Sequence, residues 1–379
     1  MESIGYGRQW ITDDDIACVI EALKSPSLTQ GRYIDDFEKN LAEYCGANYA
    51  AAVSSGTAAL HIVYAALGLS KGDEIITTPN TFSATANAAL YMNARPRFAD
   101  IEISTGLINE NLIENLINDR TKIIVPVHYG GLPCDMEKIK NIALRRNIKV
   151  AEDACHAIGS KYKGFKTGCC KYSDAAIFSF HPVKHITTGE GGAILTNNKE
   201  IYDICLKLRS HGMERQNFLY EPDSPAYHEM QLLGYNYRMT DIQAALGISQ
   251  LKRLDEFIKR RREIAALYID AFKDCEEISC PADTDNGFHS YHLFPIILRN
   301  RDIRDRVFFK LKENNIFPQI HYMPVNKQPY YRKSGYDYKD TPRAYEFYTR
   351  ELSIPMYPKL EDKEAAFAAD IIIKAVSGK

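Results

Sequence analysis

Apolar residues along this chain change their spacing several times, and the changes mark out its elements. Thr12 precedes Asp13, Asp14 and Asp15, after which Ile16, Val19, Ile20 and Leu23 recur at helical spacing. A side-chain oxygen ahead of an acidic first turn satisfies free amides and complements the helix dipole, so the chain opens with a helix. Phe37, Leu41 and Tyr44 carry a second amphipathic helix up to Gly46, a residue suited to a helix C-terminus. A rhythm then begins. Short apolar runs at 49–53, 74–78, 97–100, 122–127 and 148–151 alternate with helical stretches at 57–67, 83–92, 111–117 and 136–145. That alternation predicts an α/β fold, a mostly parallel sheet covered by helices on both faces. Two further strand-like runs, 174–180 and 192–196, follow without a long helix between them, which predicts a hairpin or an antiparallel member.

From Met239 the pattern becomes one long charged helix through Leu254 and Tyr268. Lys252, Arg253, Lys259, Arg260, Arg261 and Arg262 are assigned to its solvated side. An aromatic strand-like stretch at 288–298, a helix at 303–313, a segment ending in His321, Tyr322 and Pro324, and two closing helices complete the chain. With 379 residues there is room for two units. The change of texture divides them into a large domain at 1–250, with the N-terminal helix, and a smaller C-terminal α/β domain at 251–379.

Charge narrows the partners. Lysine and arginine number 47 against 49 acidic residues, interspersed, for a net charge of −2. No basic face suits nucleic acid or an anionic membrane, which leaves small molecules. The N-terminus lacks a basic-then-apolar leader, and no run approaches the roughly 18 apolar residues of a membrane span, so the expected location is the cytoplasm. Nine cysteines are scattered, and the adjacent Cys169 and Cys170 lack metal-knuckle spacing. They are expected as reduced packing residues, and no metal is expected.

Three places carry chemistry. Asp153 ends the run 148–152 and so projects from the carboxyl end of a buried strand, the edge where open α/β sheets bind ligands. A carboxylate there suits a protonated ring nitrogen equally as well as a helix cap. Ser54-Ser55-Gly56-Thr57 sits between a strand and a helix, where small residues and free amides accept an anion. The same turn also reads as a simple cap, and it matches neither GxxxxGK[ST] nor GxGxxG. Lys184 emerges after the aromatic run Phe178-Ser179-Phe180 and before Gly189-Glu190-Gly191-Gly192. Most lysines are solvated, but burial at this position would depress the amine pKa as Schiff-base chemistry requires. The Ser179 hydroxyl, five residues earlier, could reach the same phosphate as Thr57.

Seven segments in one order make the chain resemble the DegT/DnrJ/EryC1/StrS family of sugar aminotransferases, within the fold type I pyridoxal phosphate enzymes. They are Leu28-Thr29-Gln30-Gly31, the Ser-Gly-Thr turn, Thr81 to Asn87, Glu152 to Gly159, Ser179 to Lys184 with the following glycines, Asn236 to Asp241, and His321 to Pro324. The resemblance implies pyridoxal 5'-phosphate as cofactor, with pyridoxamine 5'-phosphate as its alternate form. It implies that Lys184 and Asp153 are catalytic: Lys184 anchors the cofactor and shuttles a proton, and Asp153 pairs with the pyridine nitrogen. Phe82 would stack on the ring and His156 would lie beside it. Gly56, Thr57 and Ser179 would hold the phosphate, joined by Asn236 from a second subunit, which makes the protein a homodimer with shared sites. Tyr6, Arg238, His321 and Tyr322 would face the sugar nucleotide.

Within the family the LTQG, HPVK, ITTGEGG and HYMPV segments are similar to enzymes of pseudaminic acid synthesis. Those aminate C4 of a UDP-linked 4-keto-6-deoxy-N-acetylhexosamine, with L-glutamate as donor. His185 departs from the proline or asparagine of the pattern. The alternatives are amination of another nucleotide-linked keto sugar at C3 or C4, a non-catalytic cofactor-binding regulator, a dehydratase on the same scaffold and a nucleotide-sugar oxidoreductase. A dehydratase carries histidine where Lys184 stands, an oxidoreductase needs a glycine fingerprint missing here, and a DNA-binding regulator needs a helix-turn-helix that is equally missing.

Overall fold

The structure is a computed structural model that describes residues 3–378. Seven strands form its central sheet: β1 Tyr49–Val53, β2 Glu74–Thr77, β3 Arg95–Phe98, β4 Thr121–Val125, β5 Lys149–Asp153, β6 Ala175–Ser179 and β7 Gly192–Thr196. Their order is β1-β7-β6-β5-β4-β2-β3. β3, β2, β4, β5 and β6 run parallel, and β7 lies antiparallel between β6 and β1. The antiparallel member has a local cause: the residues from Phe180 to Gly191 that join β6 to β7 form turns and no helix, so no crossover carries the chain back to a parallel start.

Both faces of the sheet are buried, which is why its strands read as nearly unbroken apolar runs. Ala51, Val53, Ile75, Ile123, Ala151 and Ile177 pack against α3 (Gly56–Ala66), α4 (Ala84–Tyr91) and α6 (Lys199–Arg209). Ala50, Ala52, Ala176 and Phe178 face α2 (Arg32–Cys45), and Ile124 and Val150 face α5 (Met136–Arg146). α1 (Asp13–Leu23) lies against α7 (Asp241–Lys252). A second core forms around β8 (Phe294–Leu298) and β9 (Glu351–Ile354), an antiparallel pair, with α9 (Arg301–Glu313) and α10 (Asp362–Val376). α8 (Leu254–Phe272) joins the two cores: Leu254, Phe257 and Ile258 pack with the first, Ile264, Tyr268 and Phe272 with the second. Ile4 also belongs to the second core, and Ile4–Gly5 pairs with Ile316–Phe317, so the chain start crosses over.

Several local expectations change. Residues 111–117 form no helix; two 3-10 turns, Glu110–Leu112 and Glu114–Leu116, stand there. Asn109 accepts from the Asn111 amide, and asparagines at 109, 111, 115 and 118 compete with a helix for backbone partners. The long charged helix is two helices, parted at Arg253, whose guanidinium bonds Asp15 Oδ2 at 2.7 Å and the Trp10 carbonyl at 3.1 Å. Arg261 is not on a solvated side but fully buried, its Nη1 donating to the carbonyls of Tyr291, His292 and Met356. The stretch 288–298 is strand mainly at 294–298, because Ser290 and Leu293 instead bond the backbone of Gly131 and Gly130. Beyond α9 come the short helices Pro329–Lys333 and Pro342–Arg350, then β9 and α10. Among the described residues no helix is long and apolar enough to cross a membrane.

Candidate active site

A cleft of about 730 Å³ opens at the carboxyl ends of the parallel strands and is closed on one side by the segment 319–323. Tyr6, Gly56, Thr57, Phe82, Asp153, His156, Ser179, Lys184, His321 and Tyr322 all line it. Strands deliver the chemistry here because their ends converge on one edge, each side chain held by a register set several residues earlier.

Asp153 is the last residue of β5 and is only 5% exposed. Its Oδ2 accepts from the Thr85 hydroxyl at 2.6 Å and its Oδ1 from the Cys155 amide at 3.2 Å. The Thr81 hydroxyl lies 2.7 Å from that of Thr85, whose single proton is committed to the carboxylate, so Thr81 donates to Thr85. Lys184 follows β6, its amide bonded to the His181 carbonyl at 2.9 Å. Among the described residues no carboxylate lies within ion-pair distance of its amine. Desolvation lowers the amine pKa, opposed by the nearby Cys155 and Asp153. This is the direction that frees an amine for attack on a carbonyl.

At the amino end of α3, Ser55 is spent as a cap, accepting from the Ala58 amide at 3.1 Å. Gly56 and Thr57 follow in the first turn, where amides have no intrahelical partner. A Cβ on Gly56 would stand 3.0 Å from Ser179 Cβ and 3.2 Å from Cys155 Sγ, so glycine lets the turn sit against the end of β6. Free amides, the helix dipole and the hydroxyls of Thr57 and Ser179 together suit a phosphate. Phe82 leaves 61% of its surface open beside this turn, an exposure that a flat ring would cover.

His156 lines the cleft, with His292 and His185 buried behind it. His156 Nδ1 accepts from the Gly130 amide at 3.4 Å and its Nε2 meets Tyr322 Oη at 3.1 Å. Its ring lies 4.4 Å from that of His292, which is 5.6 Å from that of His185. Burial, then the neighbouring Lys184, hold the His156 pKa well below its usual value, so the ring is neutral. His185, the departure from the family pattern, is buried and donates from Nε2 to the Ser290 carbonyl at 3.0 Å, a packing role under the lysine.

Asn236 and Arg238 do not line this cleft. Asn236 is exposed and bridges to Ser210, and Arg238 bridges to Val53 beside the Tyr237 carbonyl that takes the Ser54 amide. Thr85, inside the Thr81 to Asn87 segment, also serves the cleft through Asp153, and Ser353 and Glu351 stand behind His321 without any local signal in the sequence.

A helix terminus for a phosphate, a buried carboxylate, a desolvated amine and an open aromatic face fit pyridoxal phosphate, and the molecule is a pyridoxal phosphate-dependent transaminase. More narrowly, the chain belongs to the DegT/DnrJ/EryC1/StrS aminotransferase family, which matches residues 9–373. It is 40% identical over 373 residues to a UDP-4-amino-4,6-dideoxy-N-acetyl-beta-L-altrosamine transaminase of Campylobacter jejuni, covering 97% of this chain and 96% of that one. The solved structure of Helicobacter pylori PseC, an aminotransferase of pseudaminic acid biosynthesis, superposes with a TM-score of 0.92 at 33% identity, covering 100% of both chains. Spr1654 of Streptococcus pneumoniae in its PMP-form superposes with a TM-score of 0.93 at 27% identity, covering 99% of this chain and 98% of that one.

Proposed function

We propose that this enzyme moves an amino group from L-glutamate to C4 of a UDP-linked 4-keto-6-deoxy-N-acetylhexosamine, as a homodimer in the cytoplasm. The observation that carries the reading is the meeting, in one cleft, of a desolvated Lys184 amine and a buried Asp153 carboxylate with His321 and Tyr322. The names of the Campylobacter and Helicobacter relatives support the choice of sugar.

When bound, pyridoxal phosphate supplies the electron sink that lets an amino group pass between two carbonyl carbons. Lys184 anchors it and then moves a proton from and to the α carbon of glutamate. Asp153, steadied by Thr85 and the Cys155 amide, holds a proton on the ring nitrogen. Gly56, Thr57 and Ser179 bind the phosphate, Phe82 covers one ring face, and His156 stays neutral beside it. Tyr6, His321 and Tyr322 orient the sugar. Asn236 and Arg238 serve the cleft of the second subunit, Asn236 at the phosphate and Arg238 at the diphosphate, whose charge suits a guanidinium fork. Exposed Ile16, Ile20 and Leu23 on α1 and Leu233 near Asn236 support a partner-covered face.

The test is a panel of UDP- and dTDP-linked keto sugars with glutamate, read by mass spectrometry for the product amine. A single amine at C4 of the UDP-linked N-acetylhexosamine is expected. Amination elsewhere, or of a dTDP sugar alone, would overturn the substrate assignment.

A further inference from the structure

We propose that Glu351 and Ser353 are positioning residues for His321: a hydrogen-bonded line through both decides which ring nitrogen of His321 carries its proton, and so what kind of sugar atom the ring meets. The proposal rests on the reading of the cleft as a sugar-nucleotide site.

Glu351 and Ser353 are wholly buried in the second core, on β9, with side chains two residues apart and therefore on one face. Glu351 Oε2 accepts from the His321 amide at 2.8 Å, and Glu351 Oε1 lies 2.6 Å from Ser353 Oγ. Ser353 Oγ lies 2.8 Å from His321 Nδ1. The Tyr129 hydroxyl, from beneath, donates to the His321 carbonyl at 2.7 Å. One carboxylate thus grips the histidine at its backbone and, through a hydroxyl, at its ring.

Counting protons gives two states. With Glu351 ionised, Ser353 must donate to Oε1, its oxygen accepts from Nδ1–H, and Nε2 keeps a lone pair that takes a hydroxyl or amide N–H of the substrate. When one proton enters at Nε2, the Nδ1 proton passes to Ser353 and the serine proton to Glu351. Nε2–H then donates to a carbonyl or phosphate oxygen, and the imidazole is neutral before and after. Burial, then the charge of Lys184, hold the His321 pKa down to about 3, so the ring changes tautomer instead of charge. Burial pushes the Glu351 carboxyl up to about 8, against the pull of Ser353, the His321 amide, Arg304 of α9 and Tyr129. Among the described residues Tyr6 and Tyr322 also face the ring, at 5.1 Å and 4.8 Å between centroids, and His156 stands beyond Tyr322, its Nε2 at 3.1 Å from the Tyr322 hydroxyl.

The experiment uses holoenzyme with 15N-labelled histidine and no sugar, titrated from about pH 6.5 to 9.5 around the carboxylate range set by burial. His321 resonances are identified by their loss in H321Q. The expected result is an exchange of protonated and unprotonated shifts between the two nitrogens with a midpoint near pH 8, absent in E351Q and retained in S353T. With sugar, S353A should raise KM about tenfold while kcat stays within about twofold, as one lost hydrogen bond to a positioned group implies. Ring shifts that never exchange with pH, or that exchange alike in E351Q, would overturn the proposal. If E351Q does not fold, S353A decides by the same shifts: loss of the exchange supports the proposal and its persistence sinks it. A titration that behaves as expected alongside a failed sugar panel would refute the substrate assignment alone.

Discussion

The Thr85 hydroxyl donates to Asp153 Oδ2 at 2.6 Å and so ties the start of α4 to the end of β5. Thr85 spends its only proton there, and Thr81 supports it from behind. The carboxylate is thereby held in one orientation at the cleft edge. D153N is expected to slow the glutamate half-reaction on the order of a thousandfold, because the group proposed to oppose the ring nitrogen loses its charge. T85V should slow it about tenfold, the scale of one hydrogen bond. Rapid-scanning spectroscopy of the half-reaction measures both; equal rates for wild type and D153N would remove Asp153 from the chemistry.

Borohydride reduction of the yellow holoenzyme should fix the cofactor to the peptide containing Lys184, and K184A should bind cofactor without turning over. Peptide mass mapping reads the first and product formation the second. Label on another lysine would move the anchor.

The proposed sharing of sites between two subunits predicts complementation. K184A and N236A subunits are each impaired as homodimers, but in a mixed dimer one of the two clefts has its own lysine and the partner's asparagine. Equal mixtures refolded together should recover about a quarter of wild-type activity, by the statistics of random pairing in a two-fold dimer. Recovery of none, with dimers present in sedimentation, would place Asn236 in its own subunit's cleft or outside both.

Acid should unfold the protein through its histidines. Burial lowers the pKa of His156, His185 and His292 well below the usual value and brings His289 and His321 to about 3. An unfolded chain takes up protons near pH 6.5 that the folded one refuses, so stability is complete above that pH and drains away as pH falls toward 3. Melting temperatures of apoprotein between pH 7.5 and 5 should fall steadily, and H292Q should flatten the slope. A slope unchanged in H292Q would mean His292 titrates normally.

Glu351 works in the opposite sense. Its folded pKa of about 8 lies above the unfolded value of 4.5, so the stability of its protonated form is present below pH 4.5 and lost as pH rises toward 8. E351Q should therefore gain melting temperature relative to wild type as pH climbs through that window. A constant difference from pH 5 to 9 would show that the carboxyl ionises freely.

Much of this was written locally. Alternating strands and helices, Asp153 at a strand end, the Ser-Gly-Thr turn and Lys184 between an aromatic strand and glycines are short-range patterns. Backbone geometry makes a strand end or a helix start face one edge of the sheet, and such patterns therefore point to a cleft before any fold is known. The failures are equally specific. Arg261 has the spacing and charge of a solvated residue, and only the docking of 291–292 and 356 around α8 supplies the carbonyls that let it be buried. Asn109, Asn111, Asn115 and Asn118 outweighed an apolar spacing that looked helical.

The sequence alone determined the sheet, its chemistry-bearing edge and the reaction class, and it marked Lys184 and Asp153 as the residues to test for anchoring the cofactor and opposing its ring nitrogen. Tertiary structure decided what surrounds them: Thr85 meets Asp153 across 68 positions and Ser353 meets His321 across 32. Side-chain hydrogen bonds depend on distances of a few tenths of an ångström between segments far apart in the chain. Periodicity encodes which face is buried, and packing alone fixes which atoms touch.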